Sequence, residues 1–381
     1  MRETIKRAGL LILGLALAAP AAAAADTAAL LARIRAVGRE GAGNAEASAA
    51  WKELVRLGPD ALPAVLAGLD GADATACNWL RNAVDAIAER ALADGKSLPA
   101  DRLEQFIADK KHAGVARRLA YEWLARVDKS APARLLPDML QDPSPELRRD
   151  AVAVAIDDAR KLLVKGDKEA AAASYRKALS GACDKDQVDA IAGRLKALGS
   201  PVDLAAHFGF IRTWHLVAPF DNHGGVGFQA VNPPEKGVDL AAVYKGKGGK
   251  EARWAVHTTD SPYGAVDLNK ALGKQKGTVA YAFAVVESPA ARPVQLRVGS
   301  INAVKIFLNG KELFAREEYH HGVEMDQYVA AGALKAGRNE VLIKVCQNEQ
   351  SEEWAQNWGV QARLCDSVGA AVPFKLDKVT R

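Results

Sequence analysis

The stretch Val279-Ala280-Tyr281-Ala282-Phe283-Ala284-Val285 alternates along the chain with a period of two residues. Successive side chains of a strand point to opposite faces of its sheet, so this period is typical of a β-strand. The same alternation recurs in Val294–Val298 and in Val341–Val345. Asn309-Gly310 separates two further apolar runs, and both of its residues tolerate the positive φ of a tight hairpin. Short strands joined by such turns predict an antiparallel β-sandwich or jelly roll.

Upstream of about residue 205 the period changes. From Asp26 to about Gly199 apolar residues recur at intervals of three and four, and proline and glycine interrupt them often. This pattern predicts a series of short amphipathic helices. The change of period therefore predicts two unlike regions, one helical and one built of strands.

The helical region contains a degenerate repeat. Each unit has an apolar helix, a turn with an aspartate, and a second helix that opens with Arg-x-Ala. The second helices begin at Arg81-Asn82-Ala83, Arg118-Leu119-Ala120 and Arg149-Asp150-Ala151. A single pair of helices cannot bury both apolar faces, and stacking on neighbouring pairs solves that problem. We therefore expect an α-solenoid, with an irregular helical bundle as the alternative.

These units resemble HEAT repeats, and the resemblance implies a solenoid that contacts other proteins. The segment that follows begins with Gly166-Asp167 and places Ala171, Tyr175 and Ala178 on one face. It is similar to one tetratricopeptide helix pair, with the second helix near Gln187–Leu198. We interpret it as the cap of the solenoid and its bridge to the β region, because a lone pair of this kind is not stable by itself.

Four motifs in the β region occur in an order that resembles the galactose-binding-like jelly-roll domain of secreted bacterial proteins. They are Trp214–Asn222, Pro233-Pro234-Glu235, Val304–Gly310 and Gly337–Val345. The resemblance covers most of residues 205–372 and implies recognition, often of carbohydrate, rather than catalysis. Related domains often carry an aspartate pair where this chain has Gly299-Ser300-Ile301-Asn302, so the ligand or ion contacts of those acids do not carry over.

The predicted fold class is multidomain α plus β, with a HEAT- and tetratricopeptide-like α-solenoid followed by an antiparallel β-sandwich. The predicted domains are a signal peptide over residues 1–25, HEAT-like repeats over 26–160, a tetratricopeptide-like pair and linker over 161–204, a galactose-binding-like β-sandwich over 205–375, and a C-terminal tail over 376–381.

Residues 1–25 have the three parts of a secretion signal. Basic residues come first, an apolar run covers Ala8–Ala19, and small residues continue to Ala25. The alternative is an uncleaved membrane anchor, but Pro20 interrupts the run and favours cleavage. No later segment of the sequence is long and apolar enough to span a bilayer. We therefore expect a periplasmic or secreted protein with no transmembrane segment after cleavage.

The charge of the chain argues against nucleic acid as a partner. The formal net charge is +5, and removal of residues 1–25, which hold three basic residues and one acidic residue, lowers it to +3. Lysines and carboxylates are interspersed, and no long basic block occurs. The expected partners are therefore a protein on the solenoid and a glycan or cell-surface component on the β-sandwich.

The chain has four cysteines, Cys77, Cys183, Cys346 and Cys365. An oxidising compartment permits disulfides, and four cysteines allow three complete pairings. Cys346 and Cys365 fall on what look like the last two strands of one sheet, so they are the first candidate pair. Four buried free thiols are the alternative.

The candidate ligand-binding residues lie in two loops of the β region. A sugar needs an exposed aromatic face for its C–H surface and polar groups for its hydroxyls. The loop of residues 349–358 supplies both, and Tyr319-His320-His321 supplies a second candidate edge. The candidates are Trp354, Tyr319, His320, Glu353 and Asn357. The tryptophans Trp214, Trp254 and Trp358 are interpreted as core or strand-end residues.

A metal site receives little support from the sequence. His320, His321, Glu324 and Asp326 are close along the chain, but adjacent histidines in a strand point to opposite faces. Calcium needs six or more oxygen ligands, and no dense acidic loop provides them. We expect no cofactor, and a structural calcium ion has no specific motif behind it.

The sequence also predicts no catalytic residue. It contains neither a Gly-x-Ser-x-Gly elbow nor a phosphate-binding Gly-x-x-x-x-Gly-Lys-Ser/Thr loop. A glycosidase needs two carboxylates across a cleft, and Glu235, Glu317 and Glu352 are the carboxylates considered for that role. The leading hypothesis is an exported, non-enzymatic binding protein. The alternatives are a structural or assembly protein of the cell envelope without sugar binding, and an accessory protein of polysaccharide hydrolysis.

Overall fold

A computed structural model describes residues 18–377, and it describes side chains from residue 26 onward. Residues 1–17 of the predicted signal peptide and residues 378–381 of the predicted tail lie outside this range. The chain divides into two compact units, Met1–Lys161 and Leu162–Arg381. Helices fill the described part of the chain up to residue 208, and antiparallel sheets follow from residue 213 to residue 376. The α plus β class is therefore confirmed.

The first unit consists of consecutive helices. Their bounds are α1 Ala18–Arg35, α2 Asn44–Leu54, α3 Leu62–Ala67, α4 Ala74–Ala93, α5 Ala100–Ala108, α6 Gly114–Val127, α7 Ala131–Leu135 and α8 Pro145–Val164. Helix α1 packs on α2, α3 on α4, and α5 on α6, while α3 also contacts α5 and α6. Within residues 18–377, no helix combines the length and the apolar character that a bilayer crossing requires.

The two 20-residue helices of this unit, α4 and α8, begin at side-chain caps. The carboxylate of Asp73 accepts a hydrogen bond from the amide of Ala76 at 2.8 Å, ahead of α4. Ser144 accepts one from the amide of Leu147 at 3.4 Å, ahead of α8, and Pro145 takes the first helical position. These contacts satisfy amide groups that have no partner within the helix. The prediction that the second helices begin at Arg-x-Ala is wrong, because α4, α6 and α8 begin four to seven residues ahead of those motifs.

The Arg-x-Ala motif links neighbouring helices. Arg81 of α4 pairs with Glu122 of α6 at 3.0 Å, and Glu122 also pairs with Arg118 at 3.2 Å. Arg118 in turn contacts Asp150 of α8. Ion pairs of this exposure contribute roughly 0 to 1 kcal/mol each to stability. The series therefore matters more for the alignment of the three helices than for the stability of the unit.

A turn aspartate forms the buried contact of this unit. The Arg117 guanidinium binds both carboxylate oxygens of Asp142, at 2.7 and 2.8 Å, and the two side chains are 1% and 0% exposed. Arg117 Nε donates to the carbonyl of Ile107 at 2.7 Å. Burial alone would raise the pKa of Asp142, but the hydrogen bonds from Arg117 outweigh it and hold that pKa below its ordinary value.

The second unit begins with the helices α9 Lys168–Gly181, α10 Lys185–Ala197 and α11 Leu204–Phe208, and α12 Val226–Gln229, α13 Pro233–Lys236 and α14 Leu268–Leu272 lie between strands. The strands are β1 Thr213–Asp221, β2 Val243–Lys245, β3 Glu251–Arg253, β4 Ala255–Thr258, β5 Val266–Asp267, β6 Thr278–Ser288, β7 Arg292–Ser300, β8 Ala303–Leu308, β9 Lys311–Arg316, β10 Tyr328–Leu334, β11 Gly337–Gln347, β12 Gly359–Cys365 and β13 Lys375–Leu376.

Helix α10 contacts the strand-bearing part of the second unit, and α11 contacts the end of α9. The ammonium of Lys185 lies 4.6 Å from the ring centroid of Tyr263, and the Tyr263 hydroxyl donates to Asp189. His207 bonds the carbonyl of Ala182 through Nε2 at 2.9 Å. The pair therefore belongs to the same compact unit as the sheets.

Two antiparallel sheets form a sandwich-like core. The seven-stranded sheet has the order β4-β1-β6-β11-β8-β9, with β13 also paired to β6, and the four-stranded sheet has the order β10-β7-β12-β5. One apolar cluster contains inward side chains of both sheets, such as Ile343 and Leu296. A second cluster lies on the other face of the seven-stranded sheet and contains Tyr281 and Phe228. The segment between β1 and β4 therefore covers the outer face of the larger sheet.

Strand β6 shows why the alternation predicts this position. Ala280, Ala282 and Ala284 enter the cluster between the sheets, whereas Tyr281 and Phe283 enter the cluster on the other face. The strand is thus buried on both sides. The hairpin at Asn309-Gly310 is also confirmed, because the two residues have φ values of 52° and 77° and join β8 to β9.

Candidate functional site

The candidate site lies where several strands of the seven-stranded sheet end together. Asp221 at the end of β1 and Gln347 at the end of β11 both pair with Thr278 at the start of β6. Cys346 pairs with Ala303 at the start of β8. The loops that follow β1, β9 and β11 consequently meet at this edge. We call the side chains gathered there, Asn222, Tyr319, His320, Asn348 and Trp354, the edge cluster.

Trp354 is the exposed aromatic residue of the edge cluster. Its side chain is 60% exposed, and its ring meets the His320 ring edge to face with centroids 5.5 Å apart. It stands on a short 3₁₀ turn, Glu353–Ala355, and the Lys276 ammonium donates to the Ala355 carbonyl at 2.7 Å. Burial lowers the pKa of Lys276. The turn is thus tied to the β unit, while most of the indole stays exposed to solvent.

His320 is held by Asn348. The distance from His320 Nε2 to Asn348 Oδ1 is 2.5 Å, and the amide of Gln350 donates to the same oxygen at 3.1 Å. Because this oxygen accepts from a backbone amide, we assign the proton to Nε2 of His320. In that tautomer Nδ1 is an acceptor, and it has no donor among the described residues. His320 also has a φ of +58°, a strained value of the kind that occurs at binding sites.

Tyr319 contacts the buried amide of Asn222. Asn222 Nδ2 donates to the Tyr319 hydroxyl at 3.2 Å and to the Gln347 carbonyl at 3.1 Å. The Asn222 side chain is fully buried, and its Oδ1 has no donor within the described chain. Burial raises the pKa of Tyr319 to about 12, so its hydroxyl keeps a proton to donate at neutral pH.

The remaining two sequence candidates lie differently. Glu353 is exposed in the same 3₁₀ turn as Trp354. Asn357 lines a separate pocket of about 260 Å³ with Trp358, Gly299 and Val323. The structure therefore brings Trp354, His320 and Tyr319 together and places Asn357 elsewhere.

Three other tryptophans are buried, as expected. The exposed fractions of Trp214, Trp254 and Trp358 are 0%, 6% and 2%. Trp214 Nε1 donates to the Ile211 carbonyl at 3.0 Å, and Trp254 Nε1 donates to the Tyr244 hydroxyl at 3.2 Å. Exposure thus separates Trp354 from these three core residues.

The structure contains a buried network that the sequence analysis missed. The Lys344 side chain is fully buried, and its ammonium donates to the carbonyls of Phe228 and Ala230 at 3.1 and 2.6 Å. It also pairs with Glu235 Oε1 at 3.0 Å. The signal for it is a lysine within the apolar run of β11. Such a lysine has to find anions or carbonyls, because an isolated buried charge is very costly.

Glu235 is occupied by this network. Its Oε1 accepts from the amide of Asn232 at 3.1 Å, from the Tyr281 hydroxyl and from Lys344, and its side chain is 7% exposed. Burial, together with the Glu235 charge, raises the pKa of Tyr281. The Pro233-Pro234-Glu235 motif is therefore a capped helix start that anchors the cover of the seven-stranded sheet.

The cluster of His320, His321, Glu324 and Asp326 does not converge. His321 Nε2 lies 3.1 Å from the Tyr328 hydroxyl, whereas Asp326 binds Arg363 and Arg297. Across residues 26–377, no group of three or more His, Cys, Asp and Glu side chains is arranged to hold a metal ion. A cationic side chain also lies near the end of β1. The Lys247 ammonium donates to the carbonyls of Lys276 and Gly277 and lies 3.7 Å from the Asp221 carboxylate.

Cys346 and Cys365, the first candidate pair for a disulfide, are free thiols in the structure. Cys346 lies on β11 of the seven-stranded sheet and Cys365 on β12 of the four-stranded sheet, so the two do not share a sheet. Burial raises the pKa of Cys346 to about 12 and also raises that of Cys365. Both thiols behave as small buried hydrophobes.

A comparison with protein-family models gives no match for this chain, and a search of curated proteins gives none either. The fold and the geometry of the edge cluster therefore carry the functional argument.

Proposed function

We propose that this chain is an exported, non-enzymatic binding protein with two recognition surfaces. Its β-sandwich acts as a galactose-binding-like jelly roll that recognises carbohydrate or another cell-surface component at the edge cluster. Its helical unit acts as a HEAT-like solenoid that docks a protein partner.

The exposed indole of Trp354 beside His320 is the observation that carries the carbohydrate proposal. The C–H face of a pyranose packs on an open indole face, and its hydroxyls need hydrogen-bonding groups next to that face. The protonated Tyr319 hydroxyl is a group of that kind. The His320 ring, whose Nε2 is bound to Asn348 and whose Nδ1 is buried, packs against the indole and supports it. Because Asn348 and Asn222 fix these two side chains, the cluster has little side-chain entropy to lose on binding.

The proposed lack of catalysis is supported by the state of Glu235. Two hydrogen-bond donors and one ammonium occupy one of its oxygens, and its side chain is buried. A carboxylate in that position serves as a structural acceptor. Turnover of a polysaccharide that is lost on the change Glu235→Gln, in a variant that keeps its fold, would contradict this part of the proposal.

The solenoid proposal is supported by the ion pairs that connect successive helices. Arg81, Glu122, Arg118 and Asp150 align α4, α6 and α8 side by side. A row of equivalent helices presents a continuous surface, which repeat proteins use for binding partners.

The carbohydrate proposal is tested by melting the purified chain with a panel of soluble glycans. A ligand at 100 times its Kd stabilises the native state by about 2.7 kcal/mol. For a unit of this size that corresponds to a rise in Tm on the order of 5 to 10 °C. Trp354→Ala should abolish the rise, and Trp354→Phe should keep part of it because an aromatic face remains. A rise that persists in Trp354→Ala would place the glycan elsewhere, and the absence of any rise would favour the envelope-assembly alternative.

The proposed export is tested by fractionating cells that express the whole chain. Processing after Ala25 and recovery of the shortened protein outside the cytoplasm are expected. A protein that keeps residues 1–25 and stays with the membrane would support the anchor alternative.

A further inference from the structure

The helical unit contains a groove that the edge cluster does not explain. It has a volume of about 500 Å³ and lies between α2 and α4. Trp51 and Lys52 line it from α2, and Trp79, Asp85 and Glu89 line it from α4. Both indoles are half-buried, so each keeps part of its ring available to a ligand.

The Trp51 indole has an unused donor. Its Nε1 is buried and has no acceptor among the described residues. The indole nitrogen only donates, so an occupant that satisfies it has to supply an oxygen such as a peptide carbonyl. By contrast, Trp123 of the neighbouring helix donates its Nε1 to Asp85 Oδ1 at 2.8 Å.

The charges of the groove favour a cation. The lining carries two carboxylates, Asp85 and Glu89, against one ammonium, that of Lys52. Indole faces also attract cations, and they attract arginine more often than lysine. Two indoles with an excess of carboxylate are therefore complementary to a guanidinium.

The surface next to the groove already shows this arrangement. The guanidinium carbon of Arg126 lies 4.4 Å from the ring centroid of Trp123, and its Nη1 lies 4.0 Å from Glu89. The chain's own arginine thus lies against an indole and near a carboxylate. In the described part of the chain, no side-chain cation is placed over the ring of Trp51 or Trp79 in this way.

We infer that the groove binds an arginine side chain from a basic peptide segment of the partner protein. The guanidinium stacks against the Trp79 and Trp51 indoles and faces Asp85 and Glu89. A carbonyl of the same segment accepts from Trp51 Nε1. This inference rests on the proposed protein-docking function and adds the chemistry of the partner. Paired indoles also suit a sugar ring, but the arrangement of Arg126 and the excess of carboxylate favour the guanidinium.

The test uses the full chain and fluorescein-labelled hexa-arginine at 0.15 M salt, with binding measured by fluorescence anisotropy. Hexa-citrulline is the matched probe, because it keeps the shape of the side chain and removes its charge. We expect hexa-arginine to bind at least about tenfold more tightly than hexa-citrulline. Equal affinity for the two peptides, or displacement of hexa-arginine by a soluble neutral glycan, would overturn the inference.

The double variant Asp85→Asn and Glu89→Gln locates the site. It keeps side-chain size and should lower the affinity for hexa-arginine by about tenfold or more. The control variant Asp157→Asn and Asp158→Asn also removes two carboxylates, from exposed positions on α8 outside the groove, and should stay within about twofold of wild type. Trp79→Phe replaces the indole by a phenyl ring, a weaker partner for a cation, and should also lower the affinity for hexa-arginine. Equal loss in the control and the groove variant would show that only net charge matters and would sink the assignment.

Failure of this inference is distinguishable from failure of the docking function. Cross-linking of the wild-type chain in cells of its source tests whether a protein partner exists. A partner that cross-links equally to wild type and to the Asp85→Asn, Glu89→Gln variant would keep the docking function and overturn the groove assignment.

Discussion

The two units each bury an ion pair, and the pairs are built in different ways. Arg117 and Asp142 form a two-point contact within the helical unit, across 25 residues of sequence. Lys344 and Glu235 form a one-point contact in the β unit, across 109 residues, and backbone carbonyls complete the shell of the ammonium. The first pair joins neighbouring turns and helices, whereas the second joins a central strand to the segment that covers it. The helical unit thus keeps its buried ion pair local in sequence, and the β unit does not.

The largest loss of stability is expected from breaking the buried ion pair of Arg117 and Asp142 in the helical unit. Asp142→Ala leaves the Arg117 guanidinium buried without its carboxylate, so we expect a loss of about 3 to 5 kcal/mol in the free energy of unfolding. Urea unfolding followed by circular dichroism measures it. Arg81→Ala removes an exposed pair with Glu122 and should cost less than about 1 kcal/mol. Similar costs for the two variants would remove the distinction between the buried and the exposed contacts.

A smaller effect is expected from Lys344→Met in the β unit. Glu235 keeps the Asn232 amide and the Tyr281 hydroxyl as donors after the change, so we expect a loss of about 2 to 3 kcal/mol. Adding Glu235→Gln should recover part of that loss, because it removes the unpaired charge. Unfolding curves of the wild type, of both single variants and of the double variant give the coupling energy. A double variant less stable than Lys344→Met alone would show that Glu235 is stabilised by something other than Lys344.

The pH dependence of stability extends the comparison, because each unit contains a carboxylate with a lowered pKa. Asp142 is bound by Arg117, and Asp326 is bound by Arg363 and Arg297. Burial opposes the lowering at Asp326, but the hydrogen bonds and charges of Arg363 and Arg297 outweigh it and keep its pKa below its ordinary value. A carboxylate of this kind contributes its full stabilisation at pH values above its pKa in the unfolded chain, which is near 4. That stabilisation is lost as the pH falls through the lower pKa that the group has in the folded protein.

We therefore expect the free energy of unfolding of both units to fall below about pH 4, by up to about 1.4 kcal/mol per pH unit for each carboxylate, and their Tm to fall with it. Calorimetry between pH 2 and pH 7 measures this fall. Asp326→Asn should reduce the loss of stability of the β unit at low pH and leave that of the helical unit unchanged. If the β unit of this variant still lost as much stability at low pH as it does in the wild type, the assignment to Asp326 would be wrong.

The last and smallest expected difference is in the reactivity of the cysteine thiols. Cys346 and Cys365 are buried with raised pKa values, so iodoacetamide should leave both unmodified in the native protein at pH 7. Cys77 is half-buried and should react faster. Mass spectrometry after labelling, with and without urea, gives the extent of alkylation at each cysteine. A disulfide between Cys346 and Cys365 would contradict the placement of Cys346 on the outer face of the seven-stranded sheet, away from β12.

Local chemistry was predictable from the sequence. The positive φ of Asn309-Gly310 and the exposure of Trp354 each follow from a few adjacent residues. The division into helical and strand regions follows from the hydrophobic period for the same reason. Each of these features is set by neighbours in the chain.

Contacts between distant segments were not predictable. Assigning Cys346 and Cys365 to one sheet failed because strand order depends on pairings across many residues, and β11 and β12 join different sheets. The contact of His320 with Asn348 depends on two loops that meet only after β9 and β11 are in place. The sequence indicated a lysine in an apolar strand, but its partner Glu235 is fixed by the fold of the cover segment.

The two-sided burial of β6 has a consequence for the order of folding. A slip of one residue would exchange its alanines with Tyr281 and Phe283, so the strand accepts its partners in one register only. Its partners β1 and β11 lie on either side of it in the chain, and both pairings close long loops. Loop closure of this kind slows folding, whereas the local contacts of α1 to α6 form quickly. We therefore expect refolding in two phases, with the helical unit complete before the sandwich closes around β6.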